Sequence, residues 1–255
     1  MIDYQVQERI AYITLNRPEK RNALSFELIS ELKLAFNKAA KDDGVKVVVL
    51  KANGEAFCAG ADLAYLQQLQ QFSYEENLSD SMYLRDLFYR IYTHPKVVIA
   101  QVQGHALAGG CGLATVCDFV FAVPQAKFGY TEVKIGFVPA LVAVFLVRKI
   151  GEGAARNLLI SGEAISAEHA MQMGLVHEVV DASRLEHVVN AFAQRLITAN
   201  ASESMRLTKK LIADIQDMPL EQALDLAAQV NAQARGTEEC KRGMAAFLNK
   251  EKIIW

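Results

Sequence analysis

Two glycine-bearing stretches and one glutamate are the parts of this sequence best suited to chemistry. The first stretch is Asn53-Gly54-Glu55-Ala56-Phe57-Cys58-Ala59-Gly60-Ala61-Asp62-Leu63, and the second is Val102-Gln103-Gly104-His105-Ala106-Leu107-Ala108-Gly109-Gly110-Cys111-Gly112. Each follows an apolar strand and ends in small residues where a helix begins. Backbone N–H groups there lack partners, and nothing bulky bars a ligand from the main chain. Two such loops side by side could aim two N–H groups at one oxygen. That arrangement is an oxyanion hole, and losing one donor of this kind costs roughly 3 to 4 kcal/mol of transition-state stabilisation. Either loop alone is equally explained by the room glycine gives to tight strand-to-helix packing. Neither is a dinucleotide fingerprint, because Gly109-Gly110-Cys111-Gly112 lacks the spacing and no P-loop lysine follows.

The glutamate is Glu132, within Ala126-Lys127-Phe128-Gly129-Tyr130-Thr131-Glu132-Val133-Lys134-Ile135-Gly136-Phe137-Val138-Pro139. It lies in an irregular stretch between apolar elements, where partial burial would raise its pKa and suit it to general acid or base work. The bland alternative is a helix cap or a salt-bridge partner. His105 reads as a packed or hydrogen-bonded histidine. Tyr65, Tyr83 and Tyr130 are either packing residues or acyl-pocket walls, and Lys134 and Arg85 are either surface charges or partners for a distal carboxylate. The polar run Ser73 to Ser81 reads as a flap or a solvated loop between two helices. Cys58, Cys111, Cys117 and Cys240 show no metal-type spacing and read as buried thiols; no histidine is placed to activate Cys111.

The elements that position these groups can be read in outline. Ile2 to Val6 and Ile10 to Asn16 alternate as a β-hairpin, and a helix capped by Ser25 follows, with Leu28, Ile29, Leu32, Leu34, Ala35 and Phe36 as its apolar face. Apolar strands at Val45 to Lys51, Val97 to Val102 and Phe119 to Val123 alternate with helices, which predicts an α/β architecture with parallel strands buried between helices. From Ser183 onward only amphipathic helices are predicted, so the division is a core over residues 1–182 and a helical, oligomer-forming segment over 183–255. No internal repeat is evident. The chain has 255 residues, 52% of them hydrophobic and 22% charged, with a net charge of -2. This composition fits a globular protein and gives no electrostatic case for nucleic acid. No signal-peptide pattern or membrane-length apolar run is present, so a cytoplasmic location and no membrane partner are expected.

Taken together and in order, these segments resemble the enoyl-CoA hydratase/isomerase (crotonase) superfamily over essentially the whole chain. Supporting pieces are Leu15-Asn16-Arg17-Pro18-Glu19-Lys20-Arg21-Asn22-Ala23-Leu24, Phe57 to Leu63, Ala108 to Gly112, Cys117-Asp118, Ile165-Ser166-Ala167 and Arg242-Gly243-Met244-Ala245-Ala246-Phe247. The resemblance implies a spiral of ββα turns, an acyl-CoA thioester as substrate with no separate cofactor and no metal, and a homotrimer or homohexamer. It implies that the N–H groups of Ala61 and Gly109 bind the thioester oxygen while Glu132 moves protons. It also places Arg21, Ala23, Ala59 and Asp62 near the CoA moiety and Gly110, Gly112, Tyr130 and Pro139 around the acyl group, with Lys250 and Trp255 reaching a neighbouring subunit's CoA.

The family's two-glutamate hydratases carry their first carboxylate where this chain has Gly112. Hydration with one carboxylate requires Glu132 both to deprotonate water and to return the proton. Thr131 to Ala140, Phe145 and Ile150 to Arg156 resemble bacterial methylglutaconyl-CoA hydratases, which points to hydration of a short or branched 2-enoyl-CoA such as 3-methylglutaconyl-CoA. A cavity at Gly112 is expected to admit the branch. That substrate would place the chain in fatty acid or branched-chain amino acid metabolism. A Δ3,Δ2-enoyl-CoA isomerase or an acyl-CoA decarboxylase is the alternative within the family, and a non-catalytic acyl-CoA- or RNA-binding protein the alternative outside enzymology.

Overall fold

The computed structural model describes residues 1–255. Strands β1 (Ile2–Gln7) and β2 (Ile10–Leu15) form a hairpin whose turn residues, Glu8 and Arg9, both have positive φ, the geometry that matches the strands' right-handed twist. Helix α1 (Phe26–Lys41) starts where the Ser25 side chain accepts the N–H of Leu28 and buries Leu28, Ile29, Leu32, Ala35 and Phe36; Leu34 faces solvent. After it come β3 (Val47–Ala52), β4 (Ala56–Cys58), α2 (Leu63–Leu69) and α3 (Tyr74–Tyr92). The next unit is β5 (Val97–Val102), β6 (His105–Leu107) and α4 (Gly109–Thr115). Then follow β7 (Phe119–Ala122), β8 (Lys127–Gly129), a 3-10 turn at Glu132–Ile135, α5 (Ala140–Ile150) and α6 (Glu152–Ser161). The chain closes with β9 (Ile165–Ser166), α7 (Ala167–Gln172), β10 (Glu178–Val179), α8 (Leu185–Ala199), α9 (Ser202–Asp214), α10 (Leu220–Gly236) and α11 (Glu238–Leu248).

Two sheets result. The larger has the order β1-β2-β3-β5-β7-β10 and is parallel beyond the hairpin; the smaller has the order β4-β6-β8-β9. Successive units place one strand in each sheet: β3 then β4, β5 then β6, β7 then β8. This ββα spiral is a structural repeat without a sequence repeat, because each position packs against different neighbours. Val47, Val48, Val49 and Leu50 have no accessible surface, as expected of a parallel strand covered on both faces.

Three expectations change. The polar run from Ser73 to Ser81 is helical: Ser73 accepts the N–H of Glu76 while the Glu76 carboxylate accepts the N–H of Ser73, a capping box that starts α3. His105 is exposed on β6 rather than packed. The packing does not divide at residue 182, since α8 buries Leu185, Val189, Ala193 and Ile197 in the same core as the large sheet. The helices that leave that core are α10, with no buried residue, and α11, with only Ala246 buried. No helix is long and apolar enough to cross a membrane.

Candidate active site

The two glycine-bearing loops meet because β4 and β6 are neighbours in the small sheet. At the first loop, the Gly60 carbonyl accepts the N–H of Leu24 at 2.7 Å, and the Asp62 N–H donates to the Leu24 carbonyl at 2.9 Å. The carbonyl and N–H of one trans peptide point in opposite directions, so the Ala61 N–H faces away from Leu24. No acceptor in the chain takes it. At the second loop, the Ala108 carbonyl accepts the N–H of Gly112 at 3.0 Å as the first bond of α4. The Gly109 N–H therefore leaves the N-terminal end of the helix, also unpartnered. The two donors belong to adjoining backbone. A methyl group at Gly60 would stand 2.8 Å from Ala108 Cβ and 3.7 Å from the Gly109 nitrogen.

Ala108 turns the chain at φ 48° and ψ -126°, a conformation that costs a non-glycine residue about 1 to 3 kcal/mol. Its N–H is anchored to the Gly129 carbonyl at 2.7 Å, and the strain is held where it aims a backbone donor. Gly110 fixes the spacing from beneath, because a Cβ there would meet the Cys58 carbonyl oxygen at 2.2 Å. It is buried and works as a contact between the loops rather than as pocket lining.

The pairing of β6 with β8, Leu107 opposite Gly129, brings the glutamate segment alongside. Glu132 opens the 3-10 turn, which closes when the Phe137 N–H donates to the Glu132 carbonyl at 3.0 Å and Gly136 adopts φ 76°. The Glu132 side chain is half-buried, with one carboxylate oxygen sealed from solvent and unpartnered. Burial raises its pKa, the bond to its own backbone N–H opposes that rise, and no charged neighbour contributes. The segment that carries it is tied to the start of α4 where the Gly129 carbonyl accepts the Ala108 N–H. A carboxyl in this state can take a proton from water and give it back.

Tyr130, expected around the acyl group, has no accessible surface; its hydroxyl lies 2.6 Å from Thr115 Oγ1, which in turn donates to the Cys111 carbonyl at 2.8 Å. It braces α4 from behind. The Cys111 thiol is pushed up to about 12 by burial and stays protonated. Pro139 is buried at the start of α5, where its carbonyl accepts the N–H of Ala143.

The cavity expected at Gly112 is absent. A Cβ at that position would lie 2.4 Å from Val142 Cγ1 and 3.1 Å from Phe88 Cζ, so α5 and α3 fill the space a second carboxylate would need. The two candidate cations are elsewhere. Lys134 lies along Gly162, and the Arg85 guanidinium sits 5.2 Å from the centre of the Tyr89 ring.

Among the residues expected near CoA, Arg21 is exposed with φ 51°, and its carbonyl accepts the N–H of Ala59 at 3.1 Å, which joins two of them. Ala23 is buried beside them. The Asp62 carboxylate is turned inward: it accepts the Ala64 N–H to cap α2 and pairs with Arg17 at 2.9 Å. Sequence reasoning misses Asn22, which is fully buried in a left-handed conformation and ties the Arg21–Ala23 turn to the first loop by donating to the carbonyls of Asn53 and Ala56. Asparagine beside Arg21 is a readable signal, since it is among the residues most tolerant of positive φ. Trp255 folds back on its own chain, with Arg242 over its ring at 4.6 Å. No group of three or more His, Cys, Asp or Glu side chains is arranged to hold a metal.

Comparison with known proteins agrees with this fold. The Enoyl-CoA hydratase/isomerase family model matches residues 5–255. A Thermus thermophilus protein assigned to the enoyl-CoA hydratases is 45% identical over 241 residues, covering 94% of this chain and 95% of that protein. The crotonyl-CoA hydratase of Syntrophomonas wolfei is 34% identical, covering 96% of this chain and 94% of its own. The crystal structure of an enoyl-CoA hydratase from Mycobacterium smegmatis superposes with a TM-score of 0.94 at 32% identity, covering 100% of this chain and 98% of that one. With a family model matched over residues 5–255 and a spiral of ββα units, this chain belongs to the enoyl-CoA hydratase/isomerase family and is an enzyme of that family.

Proposed function

We propose that the enzyme adds water across the double bond of a short 2-enoyl-CoA with Glu132 as its only acid–base group. The Ala61 and Gly109 N–H groups bind the thioester oxygen, which withdraws electrons from the β-carbon. Glu132 removes a proton from water as the water oxygen bonds to that carbon, and the displaced π electrons become an enolate whose charge rests on the bound oxygen. The protonated Glu132 then delivers its proton to the α-carbon, the enolate collapses, and the carboxylate is restored. The observation that carries this reading is the half-buried Glu132, with one carboxylate oxygen sealed and unpartnered, on the segment whose Gly129 carbonyl holds the Ala108 N–H next to an unpartnered Gly109 donor.

The likeness of residues 131–156 to methylglutaconyl-CoA hydratases favours a branched, carboxylate-bearing acyl group. The filled space at Gly112 and the lack of a charged neighbour at Glu132 favour a small uncharged one, and we adopt the latter. A panel of crotonyl-, 3-methylglutaconyl- and 3-enoyl-CoA, followed by loss or gain of the conjugated thioester's ultraviolet absorbance, tests the choice. Crotonyl-CoA is expected to give the highest kcat/KM. Turnover of only the 3-enoyl substrate would replace hydration by isomerisation, the reading that a site without a second carboxylate also suits.

The exposed apolar residues Leu220 and Leu224 of α10 and Phe247 and Leu248 of α11 support packing against further copies, as a homotrimer or homohexamer. A solution mass of one chain would remove the oligomer from this reading.

A further inference from the structure

Helix α4 has two ends, and only one has been put to use. Its first N–H, on Gly109, has no partner in the chain; its last carbonyls face a lysine. Lys149, from the last turn of α5, donates from Nζ to the Thr115 carbonyl at 3.0 Å and to the Cys117 carbonyl at 2.6 Å. No carboxylate lies within ion-pair distance of this ammonium. The neighbouring Asp118 is already bound to Lys209 at 2.7 Å and to the Val98 N–H at 2.7 Å, so that pair is close to neutral. The other side of Lys149 borders a cavity of about 730 Å³ between α4, α5 and α9. Desolvation lowers the pKa of its half-buried ammonium, which both of its hydrogen bonds tie to the end of α4.

We propose that Lys149 is a positioning residue for the oxyanion hole, acting through α4: it holds the helix by its C-terminal carbonyls and offsets the negative end of the helix dipole. With that end neutralised, the field at Gly109 is more positive where the enolate charge develops. Helix α4 has seven residues and is roughly 10 Å long, and with the ammonium and the oxyanion each about 3 Å beyond its ends, a unit charge acting across about 16 Å at an effective dielectric of about 20 changes a rate by about sixfold. The inference rests on Gly109 being an oxyanion donor.

Two substitutions separate charge from capping. Lys149→Gln keeps an N–H donor and removes the charge, and Lys149→Arg keeps the charge. Hydration of crotonyl-CoA gives kcat and KM, and the red shift of a bound 2,4-dienoyl-CoA reports how strongly its carbonyl is polarised. Lys149→Gln is expected to lower kcat about sixfold, to leave KM within about twofold, and to shrink the red shift. Lys149→Arg is expected to retain most of both. A folded Lys149→Gln with wild-type kcat and red shift would reduce Lys149 to a cap and overturn the proposal. If Lys149→Gln does not fold, Lys149→Asn, which also keeps an N–H donor and removes the charge, is read in the same way. A wild-type enzyme that binds the dienoyl-CoA with no red shift overturns the hole assignment, and this inference with it.

Discussion

The first turn of α4 is flanked by two different surroundings. On one flank stands Glu132, with a carboxylate oxygen sealed from solvent and no partner. On the other, Val142 and Phe88 close over Gly112, and Phe145 meets Phe88 edge to face with ring centres 6.3 Å apart. One flank is a proton carrier left unsatisfied; the other is ordinary apolar core. The difference teaches that the missing second carboxylate is a packed feature of this chain and not an open vacancy. The space has been reassigned to helix–helix packing, and all proton transfer falls to the side that retains a carboxyl.

Breaking the apolar flank should have the largest effect on stability. Gly112→Glu drives a side chain into Val142 and buries an unpaired charge, which is expected to cost about 3 kcal/mol or more. Adding Val142→Ala should recover part of that loss. Chemical denaturation checks both, and a single variant as stable as wild type would mean the flank is not packed as described.

Acid should sharpen the contrast between chemistry and packing. Burial lowers the pKa of His94 from 6.5 to about 4, so the unfolded chain takes up a proton that the folded chain refuses. Stability present above pH 6.5 is therefore lost as pH falls toward 4, by about 3 kcal/mol in all. Glu132 must be ionised to accept a proton from water, and its raised pKa puts the acid limb of kcat/KM above the ordinary glutamate value of 4.5. Replacing His94 with asparagine should flatten the stability curve and leave the activity limb in place. An activity limb that moves with the stability curve would show that acid unfolds the site rather than protonating Glu132.

The smallest effect is expected at Cys111, which lies between the flanks. Its thiol stays protonated, so Cys111→Ala should keep kcat within about twofold and lose roughly 1 kcal/mol of stability from the smaller side chain. A large fall in kcat with unchanged folding would make the thiol part of the chemistry.

Only the Glu132 flank of this asymmetry could be read in the sequence, which suggests an open cavity on the other, and the difference has a physical cause. The glycine-bearing loops and a carboxyl in an apolar setting are visible as local chemistry, while the choice of Ala61, Gly109 and Glu132 comes from the resemblance of the ordered segments to a known family. The long buried strands β3 and β5 are legible as apolar runs. The small sheet is not, because β4, β6 and β8 have three residues each and β9 has two, too few to show a period. The start of α3 is hidden by its exposed polar residues, although Ser73 and Glu76 stand at capping-box spacing. The wall over Gly112 is the hardest feature to foresee. Phe88 and Val142 come from helices on either side of α4 in the chain, and only the spiral brings them to one point.

The central claim is that Glu132 alone performs both proton transfers of hydration. It is tested most directly by incubating crotonyl-CoA with wild type and Glu132→Gln in heavy-oxygen water and weighing the product. The account predicts one solvent oxygen on the β-carbon with wild type and a rate about 10² to 10⁴ lower with Glu132→Gln. The variant should also be at least as stable as wild type at neutral pH, since it no longer buries a charged carboxylate. A Glu132→Gln enzyme that incorporates heavy oxygen at the wild-type rate would contradict the account.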